Sequence, residues 1–234
     1  MKKNRRVHCA ELSASTEQQL EQIMAAIHSI TAQNQQIAAA AQKDTPQPIR
    51  WVINTGGQDH RWLGNSHFQT QGAELIAHAS AVPDMQARAG DQMQALRNML
   101  GPQFEGTQAA YPTRLIATPD AELELGGVRF ELRHRGGGHT PGDMMVWLPK
   151  TKVLFTGDIV YVDRMLAVLP VSNTRQWLSA LDEMEVLNPA RIVPGHGKVT
   201  DLATARARTT PPISGETIIR FSKRWSSISS TSTG

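Results

Sequence analysis

Hydrophobic positions first fall into register at Leu20, Ile23, Met24, Ile27 and Ile30, spaced for one face of a helix, with Ser15 and Gln18 forming a capping box at its head. The following "QNQQIAAAAQKDTPQ" loses that period and either extends the helix or forms a flexible insertion. At "PIRWVIN" the pattern changes to β-branched and aromatic residues, which predicts a strand, and "AELIAHAS" predicts a second, short one. Val82-Pro83-Asp84 marks a break, after which "DMQARAGDQMQALRNML" reads as a helix ending at Gly101-Pro102. A looser stretch reaches Asp120. "AELELGGVRFELRH" then alternates on both sides of Gly126-Gly127, the mark of a hairpin. "MMVWLP" and "KVLFTGD" predict two further strands, and "RIVPGHG" the last strand and its loop. Between them "NTRQWLSALDEMEVL" is an amphipathic helix capped by Asn173, with Trp177, Leu178, Leu181, Met184 and Leu187 toward the core. From about Arg206 the period disappears into Ser/Thr-rich sequence, which predicts a poorly packed tail.

Composition narrows the partners. The 234 residues fit one ordinary domain, or one with a tail, and the 40% apolar fraction leaves out 18 glycines. The net charge of +3 comes partly from the two ends, "MKKNRR" and "FSKRW". No interior basic stripe with interleaved aromatics points to nucleic acid. "MKKNRR" resembles the charged start of a signal peptide, but no adequate apolar run follows, and no segment reaches the length of a membrane span. The expectation is a soluble chain acting on a small molecule, with compartment and oligomeric state open. Cys9 is the only cysteine, so any metal site must be built from carboxylates and the eight histidines.

Four predicted strands hand a glycine-bearing loop an imidazole, a carboxylate or both. "WVINT" leads to Asp59-His60, "FELRH" through "RGGGHTPGD" to His139, "VLFTGD" to Asp158 and "RIVPGHG" to His196. Singly, each reads as a solvated loop residue or a turn. Together, on loops that a rigid sheet can gather, they suit a divalent metal of intermediate hardness such as zinc, iron or manganese.

The ordered set "INT…DH", "GHTPGD", "FTGD" and "PGHG" resembles the metallo-β-lactamase superfamily of metallohydrolases over residues 15–205, and "LGNSHF" stands where the family often has "GGNxxF". The resemblance implies an α/β fold, an αββα sandwich of two sheets with helices outside. Its N-terminal sheet is expected to be incomplete, because family members place several strands before the first helix. The expected organisation is a short segment over 1–14, the metallo-β-lactamase-like domain over 15–205 and a tail over 206–234. The same resemblance implies metal ligands at His139, Asp158 and His196, with Asp158 bridging, and a second metal held by Asp59, His60 and His196.

The first motif departs from the family pattern His-x-His-x-Asp-His. Counted back from Asp59, the two leading histidines are replaced by Thr55 and Gly57; aligned on "INT", Gly56 stands at the first. Either way the first metal is left with His139 and a share of Asp158, fewer than the three protein ligands usual for a catalytic zinc. One ion at the second position, zinc or else iron or manganese, is the economical expectation. The implied activity is hydrolysis of an ester, thioester, lactam or phosphoester. Asp59 would serve as ligand and proton acceptor, and His139 as a weak ligand or a donor to the oxyanion. The alternative is a non-catalytic metal- or ligand-binding protein on the same fold; an iron-dependent redox enzyme is weaker, because such members keep the full ligand set. Of the spare polar groups, Gln58, His67 and His134 lie near the motifs, His67 reads as a surface residue and His78 as a non-ligand. Trp51 and Trp62 read as core residues before pocket residues.

Overall fold

The computed structural model describes residues 38–41, 43, 45 and 47–213. The predicted helix at residues 15–30 and the segment beyond 213 lie outside them. Two compact units are formed. Among the described residues, one comprises those up to Asn54 with Gln58–Ala77 and Met85–Leu115; the other comprises Thr55–Gly57, His78–Asp84 and those from Ile116 onward.

Among the described residues the first sheet has three strands, β1 (Trp51–Asn54), β2 (Glu74–His78) and β3 (Arg114–Ile116), in that spatial order. β1 and β2 are parallel, Trp51 opposite Glu74 and Asn54 opposite Ala77. Two short helices, α1 (Asp59–Trp62) and α2 (Asn65–Gln69), connect them. The end of β1 is tied to these helices by a buried amide pair. Asn54 Nδ2 donates to Asn65 Oδ1 (3.0 Å) and to the Arg61 carbonyl (2.8 Å), while Asn65 Nδ2 donates to Asn54 Oδ1 (2.8 Å) and the Ala110 carbonyl (2.9 Å). This lock fixes where Asp59 and His60 leave the strand. Trp62 is a core residue: its ring stacks on Tyr111 and its Nε1 donates to Gln92.

The second sheet has five strands in the order β4 (Asp120–Leu125), β5 (Val128–His134), β6 (Met144–Leu148), β7 (Val153–Tyr161) and β8 (Arg191–His196). The β4–β5 hairpin turns through Gly126 and Gly127, both at positive φ (59° and 76°), the backbone a two-residue turn of this hand demands. β7 and β8 are parallel, so a helix must cross between them. That helix is α4 (Thr174–Leu187). Asn173 caps it by accepting from the Gln176 N–H, and Asn188 ends it in the left-handed conformation. Trp177, Ala180, Leu181 and Met184 repeat at helical spacing and are buried with Met145, Leu154, Ile159 and Ile192. All nine residues of β7 are buried, as expected for a central strand covered on both faces.

Several expectations change in detail. Val82-Pro83-Asp84 does not break a helix; it lies in the first turn of α3 (Ala81–Leu100), where proline's missing N–H has no partner to lose. The stretch before Asp120 contains a 3-10 turn (Gly101–Phe104) and β3, both too short to leave a period. β7 continues past Asp158 to Tyr161, with irregular register at Gly157. Regular structure also continues past Arg206, in α5 (Leu202–Ile213). Ala205 joins the core there, and Arg206 pairs with Asp182 (3.1 Å) and Glu185 (3.0 Å). No helix among the described residues is long and apolar enough to cross a membrane.

At the ends of β2 and β5 the rings of His78 and His134 stack, with centroids 3.5 Å apart. The Ser80 N–H donates to His78 Nδ1, and His134 Nδ1 donates to the Asp143 carbonyl. Burial and the neighbouring His134 push His78 down to about 4. Burial also lowers His134, with Arg135 adding to the effect and the Asp143 carbonyl opposing it.

Two outcomes follow for stability. Trp177→Ala empties the centre of the α4 interface and should cost about 3–5 kcal/mol, read by denaturant unfolding. In the unfolded chain His78 takes up its proton near 6.5, whereas the folded state holds it neutral down to about 4. Stability should therefore be full above pH 6.5 and fall as pH drops toward 4. His78→Gln should flatten that part of the profile relative to wild type; unchanged melting curves would count against a buried neutral pair.

Candidate metal centre

β7 and β8 run parallel, so their C-terminal ends open on the same side and bring Asp158 and His196 together. The register slips between Phe155 and Gly157 and again before Tyr161, so Asp158 sits inside an irregular strand rather than at its end. Asp158 is fully buried. Its Oδ1 lies 3.5 Å from His196 Nε2 and its Oδ2 lies 3.6 Å from His139 Nε2. Gly195 makes the approach possible: a Cβ there would come within 2.2 Å of Asp158 Oδ1 and 2.6 Å of the Gly157 carbonyl carbon.

His139 is held from three directions. Its Nδ1 donates to the Ala167 carbonyl (2.8 Å), its own carbonyl accepts from Ser172 Oγ (2.8 Å), and its ring meets Trp177 edge-on at 5.5 Å. With the proton on Nδ1, Nε2 is the nitrogen turned to Asp158. A backbone carbonyl fixing the far nitrogen is the usual support of a metal-binding imidazole. His196 packs against Tyr161 (4.5 Å between centroids), and its Nδ1 lies 3.0 Å from Arg164 Nη1. Guanidinium only donates, so Nδ1 is the acceptor there.

These spacings fit an ion. At 3.5–3.6 Å the Asp158–imidazole pairs are longer than hydrogen bonds. Two ligands each about 2.1 Å from one ion, at a tetrahedral angle, stand about 3.4 Å apart. An oxygen and nitrogen donor set without thiolate suits zinc, iron or manganese. Asp158 and His196 belong to a group of His and Asp donors that could hold a metal ion.

In the first unit Asp59 and His60 open α1. Asp59 Oδ1 accepts from the His60 backbone N–H (2.7 Å) and lies 3.1 Å from His60 Nδ1. Burial pushes Asp59 up, but the hydrogen bonds from His60, side chain and backbone, with its charge and that of Arg88, outweigh it and leave the carboxyl below its ordinary value. Asp59 thus stays ionised at neutral pH and orients the His60 ring through Nδ1. His67 bonds Gln71 and lies against Phe68, as a surface residue does. The Arg114 guanidinium covers the half-buried Trp51.

Arg164, Ala167 and Ser172 were not foreseen. All lie on the irregular loop between β7 and α4, where no periodicity marks them; the only cue is that this loop follows a strand carrying a candidate ligand.

Residues 16–196 match the family model described as the metallo-beta-lactamase superfamily. Among curated relatives, the chain is 29% identical over 84 residues to a metallo-beta-lactamase type 2 of Bacteroides fragilis, covering 34% of each chain. It is 26% identical over 167 residues to the acyl-coenzyme A thioesterase MBLAC2 of Gallus gallus, covering 64% of this chain and 57% of that one. The matched region thus spans from about a third to just over half the length of these relatives. Among solved structures, metallo-beta-lactamase IND-7 superposes with a TM-score of 0.63 at 22% identity, covering 80% of this chain and 78% of that one, a likeness of fold. With the family model spanning all four strand-end motifs, this chain belongs to the metallo-β-lactamase superfamily, whose members include metal-dependent hydrolases.

Proposed function

We propose that this protein is a metal-dependent hydrolase of an ester, thioester, lactam or phosphoester, working with a single divalent ion. The observation that carries the reading is Asp158, fully buried with an imidazole Nε2 at ligand-to-ligand distance from each carboxylate oxygen. Asp158 and His196 would hold the ion, and the superfamily's ligand pattern would assign the remaining donors to Asp59 and His60. Asp59 would fix the His60 ring through Nδ1 and accept a proton as an ionised carboxylate. His139 shares only Asp158 with this set, which makes its side the weaker position for an ion. Zinc is the first candidate, by family habit and donor type.

When bound, such an ion would supply Lewis acidity and lower the pKa of a water to about 7. The remaining roles belong to the chain. His196 can bind through Nε2 only with its proton on Nδ1, so Arg164 must turn away from that nitrogen, and its charge then becomes available to an anionic part of the substrate. The relatives' names, a β-lactamase and an acyl-coenzyme A thioesterase, both denote acyl transfer to water and put lactams and thioesters first for assay.

Elemental analysis of the purified chain should find about one divalent ion, lost in Asp158→Ala and in His196→Ala. Asp59→Asn should weaken ion affinity about 10–100-fold while retaining the fold, read by chelator competition. Two ions per chain would overturn the single-ion reading, and none at neutral pH would favour a non-catalytic binding protein. Hydrolysis of a chromogenic lactam, thioester or phosphodiester should vanish with Asp158→Ala; activity that survives it would sink the chemistry.

A further inference from the structure

The segment Thr55–Gly57, where the superfamily pattern has histidines, is built into the second unit with little freedom. The Gly57 N–H donates to Thr140 Oγ1 (3.2 Å), and that hydroxyl donates to Asp143 Oδ1 (2.7 Å). The Met144 N–H donates to the Thr55 carbonyl (2.9 Å). Residues 55–57 therefore lie along the 139–144 turn, one hydrogen bond from the residue that follows His139.

The first turn of α3 closes over this arrangement. Ala81 and Asp84, three residues apart, share a helix face. A Cβ on Gly142 would stand 2.3 Å from the Ala81 side chain, and a Cβ on Gly57 would stand 2.3 Å from Asp84 Oδ2 and 3.3 Å from its Cγ. Ala81 is fully buried and Asp84 nearly so. Gly57 is not among the residues at positive φ, so its backbone admits alanine; what a side chain there would meet is the nearly buried Asp84 carboxylate, which would have to shift.

We propose that Asp84 sets the number of ions this protein holds: its carboxylate takes up the side-chain space of residue 57, so the loop before Asp59 cannot present an imidazole beside His139 and Asp158. The proposal rests on the single-ion reading given above. It assigns the missing histidine to a pair of residues, a glycine and the acid that stands in the glycine's place. Asp84 is a positioning residue here; it acts by occupancy.

A double-mutant cycle in thermal melting tests the pairing without reference to any ion. Gly57→Ala should lower Tm by several degrees with Asp84 present, and by only a small fraction of that in an Asp84→Ala background. Equal losses in the two backgrounds would overturn the proposal. If Asp84→Ala does not fold, Asp84→Ser replaces the carboxylate by one hydroxyl near the Cγ position, 3.3 Å from a Cβ on residue 57, and completes the same cycle. Ion counting then tests the consequence. Thr55→His with Gly57→His should remain at one ion per chain while Asp84 is kept, and rise to two when Asp84→Ala is added. A second ion with Asp84 in place, or none without it, would refute the number-setting role. Should the wild-type chain bind no ion, the hydrolase reading fails, while the melting cycle still decides whether Asp84 excludes a side chain at 57.

Discussion

A fully buried carboxylate with two imidazoles at its oxygens is the constraint around which the second unit is arranged. Burying a carboxyl group away from water is costly, so its surroundings must be held in place by interactions from elsewhere. The irregular register of β7 turns Asp158 toward β8, and Gly195 leaves room for it. Trp177 serves twice: it anchors α4 on the sheet, with Nε1 donating to the Ile159 carbonyl, and it forms a wall against the His139 ring. The packing that makes the βαβ crossover stable is also what orients a candidate ligand.

The first unit solves a smaller problem by other means. Its paired asparagines supply amide donors and acceptors at a strand end that would otherwise bury them unsatisfied. The result is a fixed start for α1, with Asp59 bonded to the backbone N–H and the ring Nδ1 of the residue it precedes. Precision here comes from hydrogen-bond geometry, and in the second unit from close packing.

Much of this was legible in the chain. Alternation around Gly126-Gly127, the Asn173 cap and the strands running into "TGD" and "GHG" each carry a local signal that the fold uses as written. His139, Asp158 and His196, which the motifs place on three separate strand ends, lie together in one unit. What was not legible is non-local. The irregularity that places Asp158 inside β7 leaves no mark on an alternation pattern, because every residue of that strand is buried. The helix that carries Arg206 packs into the core through Ala205, and Arg206 pairs with Asp182 and Glu185, some twenty residues earlier. Nor does spacing reveal that Asp84 meets Gly57, since the contact depends on a helix starting at Ala81, before a proline that reads as a break.

The contact between Gly57 and Asp84 also bears on the routes by which such a sequence can change. A histidine arriving at 57 meets a carboxylate already in its place, and a small residue arriving at 84 opens a gap that glycine does not fill. Each single step is a loss, and only the two together exchange one filled arrangement for another. The glycine is thus the visible half of a correlated pair, and a position that looks like simple erosion of a motif is held there by a residue twenty-seven places further along the chain.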